Sequence, residues 1–355
     1  MVSKQTAAPD LNVRVENSVN LDGLARWMDA IGEGSQPISC IEHLGGGTQN
    51  ILVRFRRGDK EYVLRRPPIH LRANSNETMR REAKMLAALA QTNVPHPRLI
   101  AACDDETVLG VSFYLMAPVN GFNAKEGLRA FHAGSATVRE RMGFALAEGI
   151  AALGALDHHA LGLATFGQPA NYLERQVSRW RSQLESYHNL RGWPGSDAIP
   201  GLLEISDWLE AHRPARFTPG IMHGDYHLAN VMYCTDSPEL AAIVDWELTT
   251  IGDPLIDLGW LLATCWKEDP SGSGQPVAEW DAFPSAEELI AHYAARSVRE
   301  LSNVNWYAVF ACFKLGILLE GTYARACAGQ APRDVGESLH SKTLGLFRRA
   351  LRWIE

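Results

Sequence analysis

Ile221-Met222-His223-Gly224-Asp225-Tyr226-His227-Leu228-Ala229-Asn230, followed after a second apolar run by Ile243-Val244-Asp245-Trp246-Glu247, is the stretch that decides how this chain reads. An acid opens a loop, an amide follows five residues later and a second acid closes the next apolar run, the order of groups that phosphoryl transfer requires. Asp225 is therefore the candidate catalytic acid facing an attacking hydroxyl. Asn230 and Asp245 are candidate ligands for Mg2+, because a hard cation bridging phosphate oxygens takes oxygen ligands. In a loose transition state little proton transfer accompanies the moving phosphoryl group, so Asp225 is asked mainly to orient. Either Asp or Asn alone is also a common turn former; it is the three together that carry the reading.

A nucleotide site should lie upstream. Leu44-Gly45-Gly46-Gly47-Thr48-Gln49-Asn50 joins two strand-like runs, and glycines there let backbone N–H groups approach phosphate oxygens without a Cβ in the way. Gly45, Gly46, Gly47, Thr48 and Asn50 are the candidate phosphate-side residues, although a plain hairpin connection has the same composition. The third strand ends in Leu64-Arg65-Arg66, and the helix after it carries Glu82 three residues from Met79 and four from Leu86. That spacing puts a carboxylate on the buried stripe, where it needs a cation. Arg65 is the expected partner, its guanidinium aimed at the phosphates. A fifth strand runs out through Phe113 to Met116 into Ala117-Pro118-Val119; Pro118 has no N–H, so the backbone of Ala117 and Val119 is left to bind a base.

Around these sites the apolar spacing changes character once. Helical spacing over Leu21–Ile31 is followed by strands at Ile38–Leu44, Ile51–Arg56 and Tyr62–Arg65, a helix at Asn76–Ala90 headed by the capping-type Asn74, Ser75 and Asn76, and strands at Leu99–Cys103 and Val111–Met116. From about Gly121 the pattern is mainly helical, broken by a β-like island from Ile221 to Val244 and a loop-like stretch from Lys267 to Pro284. The expected fold class is α+β: a nucleotide-binding lobe over 1–117, a join over 118–121 and a larger helical catalytic lobe over 122–355. With 355 residues and 46% hydrophobic content the chain has ample material for this.

The whole chain has net charge -7, which disfavours a protein that coats nucleic acid by neutralising phosphates. The charge is split: Arg54 to Lys84 holds ten basic residues against four acidic ones, while Gly201 to Glu300 holds 17 acidic against five basic. The basic segment suits a triphosphate or the phosphates of a CoA tail. The six cysteines form no C-x-x-C pair and read as reduced thiols; with no apolar leader and no unbroken apolar run long enough to cross a bilayer, a cytoplasmic protein without a membrane partner is expected.

Taken in order, the Gly-rich turn, basic strand end, helix Glu, His-Gly-Asp-(x)4-Asn and Asp-Trp-Glu resemble the aminoglycoside phosphotransferase and choline kinase-like superfamily. More closely, Tyr62-Val63-Leu64-Arg65-Arg66-Pro67-Pro68, Arg81-Glu82, Val94-Pro95, His223-Gly224-Asp225, Gly252-Asp253-Pro254 and the late helix from Tyr307 to Arg325 resemble the phosphotransferase-like domain of acyl-CoA dehydrogenase family members ten and eleven and its free-standing bacterial relatives. The resemblance covers roughly residues 20 to 350. It implies a bilobal protein-kinase-like fold, ATP (or another nucleoside triphosphate) with Mg2+, Asp225 as catalytic aspartate, Asn230 and Asp245 as metal ligands, and His223 as a support for the loop. Arg65 stands where antibiotic kinases have Lys, a departure shared with the dehydrogenase-fused domains, which are associated with phosphorylating hydroxyacyl-CoA.

The expected activity is transfer of the γ-phosphate to a hydroxyl of a small molecule, a hydroxyacyl-CoA or hydroxy acid. The competing readings are an aminoglycoside or other amino-alcohol kinase, a catalytically silent nucleotide-binding pseudokinase, and a metallohydrolase in which His223, Asp225 and His227 gather a transition metal. Among the remaining polar residues, His227 reads as a solvated loop residue in preference to one that touches a phosphate or the substrate, and Asp253 and Asp257 read as caps of the next helix. Glu247 stands between support for the metal and a structural role. Glu320 reads either as a buried carboxylate near the acceptor or as a rim position.

Overall fold

Alternation in Ile51–Arg57 (β2) buries Val53 and Phe55 on one face, and Lys60–Arg66 (β3) returns antiparallel to it through Gly58-Asp59. Gly58 has φ +60°, the left-handed conformation that a two-residue hairpin connection demands. Ile38–His43 (β1), Leu99–Cys103 (β4) and Phe113–Met116 (β5) complete an antiparallel sheet of order β1-β2-β3-β5-β4. Leu21–Ala30 (α1) lays Leu24 and Met28 onto Val53, Phe55, Tyr62, Leu64, Phe113 and Leu115 to make the core. The computed structural model describes residues 19–45, 50–264 and 281–355. Thus Gly46, Gly47 and Thr48, and most of the loop-like stretch from Lys267, lie outside the described residues.

Ser75–Leu89 (α2) carries Met79, Glu82, Ala83 and Leu86 on its buried side, as the spacing predicts. Its start differs from expectation. Asn74 takes φ +67° and makes no side-chain cap, the Ser75 hydroxyl accepts from the Arg72 N–H at 2.9 Å, and Asn76 accepts from the Ser112 N–H at 3.1 Å. Ser75 and Asn76 tie the helix start to Arg72 and to Ser112, because backbone donors there need partners too. A short helix, Glu106–Leu109 (α3), capped by Asp105, occupies the turn expected between β4 and β5.

The basic run over Arg54–Lys84 is largely consumed inside this unit. Arg54 and Arg56 pair with Glu61, Lys60 with Glu33 and Arg80 with Glu106. Arg57 is buried, donating to the carbonyls of Gln36 and Ala25 and pairing with Asp29. So four of its ten basic residues fasten α1, β2 and β3 together, and Arg80 ties α2 to α3, instead of forming an open phosphate patch.

This first unit runs to Asn120 without Asn93–Pro95, which belong with Gly121–Glu355 in a second, larger unit; the Ile243 N–H holds the Pro95 carbonyl at 2.9 Å. Its helices are Ala130–Ala133 (α4), Ala136–Gly154 (α5), Gln176–Glu185 (α6), Leu202–Ala211 (α7), Leu255–Thr264 (α8), Ala286–Ala294 (α9), Val304–Cys327 (α10) and Arg333–Ile354 (α11). Two small antiparallel sheets sit among them: Gly220–Met222 (β6) with Thr250–Gly252 (β9), and Val231–Tyr233 (β7) with Leu240–Ile243 (β8).

Helix α10 is the centre of the unit, burying Trp306, Phe310 and Phe313, with Phe347 of α11 6.0 Å from Phe313. A Cβ at Gly259 of α8 would lie 2.3 Å from the Tyr307 carbonyl oxygen, so the α8–α10 crossing requires glycine. By length and mean hydropathy α10 also qualifies as a membrane span, which the absence of an unbroken apolar run had concealed. In this fold 67% of that apolar window is buried by protein.

Candidate active site

The second unit builds its polar centre where β6 runs out into His223-Gly224-Asp225. Gly224 has φ +87°, and a Cβ there would sit 2.6 Å from the Leu248 carbonyl oxygen, so both conformation and space require glycine. Asp257 on α8 accepts the N–H groups of His223 (2.6 Å) and Gly224 (2.8 Å). Burial pushes its carboxyl up to about 7, against the pull of those two N–H groups and of Lys314. Asp253 does cap the helix, accepting from the Leu255 N–H, and also takes the Tyr307 hydroxyl at 2.5 Å. Asp257 is thus a brace for the loop, not a cap.

His223 is fully buried, with Nε2 2.9 Å from the Val244 carbonyl and Nδ1 3.4 Å from the Asp225 N–H. A ring nitrogen facing a carbonyl must donate and one facing an N–H must accept, so the imidazole is neutral, and its burial pushes its pKa down in agreement. His223 thereby links the loop of Asp225 to Val244, the residue that precedes Asp245.

Asp225 is half-buried. Asn230 Nδ2 donates to its carboxylate oxygen Oδ2 (3.0 Å) and to its backbone carbonyl (2.9 Å), and His227 Nε2 lies 3.4 Å from Oδ1. Burial pushes the Asp225 carboxyl up, but the hydrogen bond and charge of His227, with Lys314 behind them, more than cancel it and leave it below the usual value. His227 is not a solvated residue. Its Nδ1 accepts the Ala229 N–H at 3.1 Å, capping the turn over Leu228–Asn230, and this fixes Nε2 as the side facing Asp225.

Asn230 is buried, and among the described residues its Oδ1 has no hydrogen-bond partner once Nδ2 has turned to Asp225. The β7–β8 register, Val231 opposite Ile243, and the bond from the Val244 N–H to the Asn230 carbonyl (2.9 Å) set Asn230 beside the residue that precedes Asp245. Asp245 has φ +66°, ψ +61°, a left-handed conformation that is uncommon away from glycine and collects at functional sites. An amide oxygen and a carboxylate are the hard donors that suit Mg2+, which keeps several waters and phosphate oxygens for itself. The transition-metal reading does not fit: both nitrogens of His223 and Nδ1 of His227 are spent on the backbone. Among the described residues no group of three or more His, Cys, Asp or Glu converges as a metal site.

Two further residues were missed in the sequence or left open there. Lys314 of α10 brings its ammonium to 3.5 Å from the Gly224 carbonyl, over the rings of Trp260 (4.5 Å) and Trp180 (5.6 Å). Burial pushes it down to about 8, although Asp225 and Asp257 pull the other way. Glu320 is fully buried, held by Trp193 Nε1 and His340 Nδ1, each at 2.8 Å; it locks α10 to α11.

In the first unit Arg65 and Glu82 are both buried and joined twice, Nε to Oε2 at 2.9 Å and Nη2 to Oε1 at 3.4 Å. Tyr114, paired with Arg65 across β3 and β5, donates to Glu82 Oε2 at 2.9 Å. The Ala117 N–H is already given to the Arg98 carbonyl at 2.9 Å, so Ala117 has only its carbonyl to offer a base, and Val119 is left as the N–H donor. Gly45 is exposed and a Cβ on it would meet nothing within 4 Å; Asn50, after the undescribed turn, is half-buried.

A family model described as "phosphotransferase enzyme family" matches residues 41–295. The chain is 26% identical over 332 residues to mouse acyl-CoA dehydrogenase family member 10, covering 90% of this chain and 30% of the relative. It therefore spans less than a third of that relative's length. Among solved structures it is similar to a candidate aminoglycoside phosphotransferase of Ralstonia eutropha JMP134 (27% identity, 94% and 99% of the two chains, TM-score 0.77). It shares its fold with the GDP and kanamycin complex of the aminoglycoside phosphotransferase APH(2")-IIIa (19%, 90% and 98%, TM-score 0.59). With a bilobal protein-kinase-like fold and a match across most of its length, the chain belongs to the aminoglycoside phosphotransferase (APH) family of phosphotransferase enzymes.

Proposed function

We propose that this chain is an ATP- or other NTP-dependent kinase that moves the γ-phosphoryl group to a hydroxyl of a small molecule. Residues up to 117 take the nucleotide-binding share and residues 122–355 the catalytic and acceptor-binding share, joined through 118–121. The observation that carries the reading is Asp225, ionised and held in one orientation by Asn230 and His227 on a loop braced by Asp257.

In this reading Asp225 Oδ1 receives the proton of the acceptor hydroxyl as the P–O bond to the acceptor forms and the bond to the nucleoside diphosphate breaks. Because Asp225 is kept below the usual carboxylate range, it orients the hydroxyl more than it pulls the proton. Asn230 Oδ1 and Asp245 would hold Mg2+, which supplies neutralisation of charge on the phosphate oxygens. Arg65, fixed by Glu82 and Tyr114, would offer a guanidinium to the α- and β-phosphates, Gly45, Gly46, Gly47, Thr48 and Asn50 being proposed as further phosphate contacts from the sequence, and the Ala117 carbonyl and Val119 N–H would take the base.

Support for a nucleotide comes from the GDP-bound family member. Its kanamycin and the name of the mouse relative, an acyl-CoA dehydrogenase family member, suggest two acceptor classes, amino sugars and hydroxyacyl compounds; the hydroxyacyl-CoA or hydroxy acid class is the one proposed here. The test is incubation with Mg-ATP and a panel of hydroxy compounds, read by mass gain of one phosphate. Asp225→Asn should lower the rate by about 10²–10⁴; an unchanged rate with the same acceptor would sink the mechanism.

A further inference from the structure

Lys314 is out of place for a mere core residue. It is half-buried on α10, its ammonium over two tryptophan rings, and its single hydrogen-bond contact among the described residues, with the Gly224 carbonyl, is at the 3.5 Å limit. An ammonium has three donors. Among the described residues no carboxylate comes within ion-pair distance of it: Asp225 and Asp257 act on it only from farther off, and Asp257 has both oxygens committed to backbone N–H groups. Placing a strongly hydrated cation there costs free energy unless something completes its shell.

Its charged neighbours are mixed: Asp225 and Asp257 attract it, while Arg179 carries the same sign. Arg179 of α6 lies 5.5 Å from the Trp180 ring, near enough for its charge to act on Lys314 and on Tyr172. Tyr172 rests on β9, its ring 3.2 Å from where a Gly252 Cβ would be. Beside the residue that precedes Asp225 there is thus a patch of two cations and three aromatic rings. A polycationic amino sugar would have to bring its ammonium groups against Lys314.

We propose that Lys314, with Arg179 at its edge, binds the carboxylate of the acceptor, making this a kinase of hydroxy acids with the reacting hydroxyl turned to Asp225. The proposal rests on the phosphotransfer reading above and names the acceptor class for it. The rings of Trp180, Trp260 and Tyr172 suit the carbon chain between the two ends.

The test uses the full chain, Mg-ATP and matched probes of equal carbon number: hydroxy carboxylates, the corresponding amino alcohols, and the CoA thioesters of the same hydroxy acids. Phosphate transfer is read by mass, and binding by the thermal shift each probe produces in Asp225→Asn, which needs no turnover. Wild type should favour the carboxylates. Lys314→Met should raise KM for them about 10- to 100-fold, the loss of one charge-assisted hydrogen bond, with a smaller change in kcat, and abolish their thermal shift. Lys314→Arg should restore part of the binding, and the exposed Arg179→Ala, which leaves the core untouched, should raise KM severalfold.

A KM within twofold of wild type in Lys314→Met, or a preference for amino alcohols or for thioesters that does not depend on Lys314, overturns the proposal. If no probe is phosphorylated yet the carboxylates still give a Lys314-dependent thermal shift, it is the phosphotransfer reading that fails and the anion site that stands.

Discussion

Asp257 accepts the backbone N–H groups of both His223 and Gly224, at 2.6 and 2.8 Å, from a helix that begins more than thirty residues downstream of the loop it braces. The bond pair fixes the peptide planes that lead into Asp225, so the direction of the Asp225 carboxylate is set from α8. Asp257→Ala leaves two buried N–H groups unpaired and should destabilise the chain by about 2–5 kcal/mol. Phosphate transfer should fall at least tenfold in kcat with a smaller change in the KM for nucleotide. Equal loss in both parameters, or none, would show that the brace does not position Asp225.

Because burial raises the Asp257 carboxyl to about 7, the folded chain binds a proton there that the unfolded chain has released between about pH 4 and 7. Stability from this group is present below the unfolded pKa and is lost as pH rises through 7, by a few kcal/mol at most, so about 2–4. Denaturant titrations of wild type and Asp257→Asn at pH 5, 6, 7 and 8 check this. The stability difference should move against wild type as pH rises, and a constant difference would mean that the carboxyl titrates normally.

The buried Arg65–Glu82 pair predicts an asymmetry. Glu82→Gln strips the buried guanidinium of its counter-charge and should cost about 3–5 kcal/mol, whereas Tyr114→Phe, removing one hydrogen bond to Glu82, should cost about 1–3 kcal/mol. Urea unfolding measures both. If Glu82 positions Arg65 for phosphates, Arg65→Lys in a chain that keeps Glu82 should raise the KM for ATP severalfold; an unchanged KM removes Arg65 from the nucleotide site.

Asn230 and Asp245 carry a metal-dependence prediction. Asn230→Ala and Asp245→Asn should each shift the Mg2+ concentration for half-maximal phosphate transfer upward by tenfold or more, while leaving the melting temperature without metal within a few degrees. Mg2+ titrations at fixed ATP provide the measurement, and an unshifted midpoint in both variants would exclude them as ligands.

Glu320 is expected to be structural. Glu320→Ala should leave Trp193 and His340 without their shared acceptor and destabilise the chain by about 2–4 kcal/mol, with an unchanged KM for acceptor in protein that remains folded. A raised acceptor KM in Glu320→Gln at normal stability would return this residue to the site.

The spacing of Asp225, Asn230 and Asp245 was legible because the three lie on one short local segment, in which the β7–β8 hairpin sets Asn230 beside the residue that precedes Asp245. Glu82 was legible for a similar reason: a helix of period 3.6 shows its buried stripe in the sequence, and a carboxylate on that stripe calls for a cation. His227 was misread because its two nitrogens do different jobs, one capping a turn and the other facing Asp225, and neither job leaves a spacing signal. The capping role expected for Asn74 failed because its own backbone is left-handed, φ +67°, and not in the extended conformation that turns an N-cap side chain onto the first-turn N–H groups.

What the sequence determined by itself was the class of fold, the order of the site groups along the chain and the pairing of a buried acid with a strand-end arginine, since all of these follow from periodicity and local spacing. Only the tertiary structure decided that Asp257 holds the loop, that α10 turns Lys314 toward it and Glu320 toward α11, and that most of the basic run is spent inside its own unit. The contacts that Asp257 and Lys314 make with the loop, and Glu320 with α11, join residues from 20 to 90 positions apart. They arise from which helices cross, as at Gly259 and Tyr307, and no local pattern encodes a crossing.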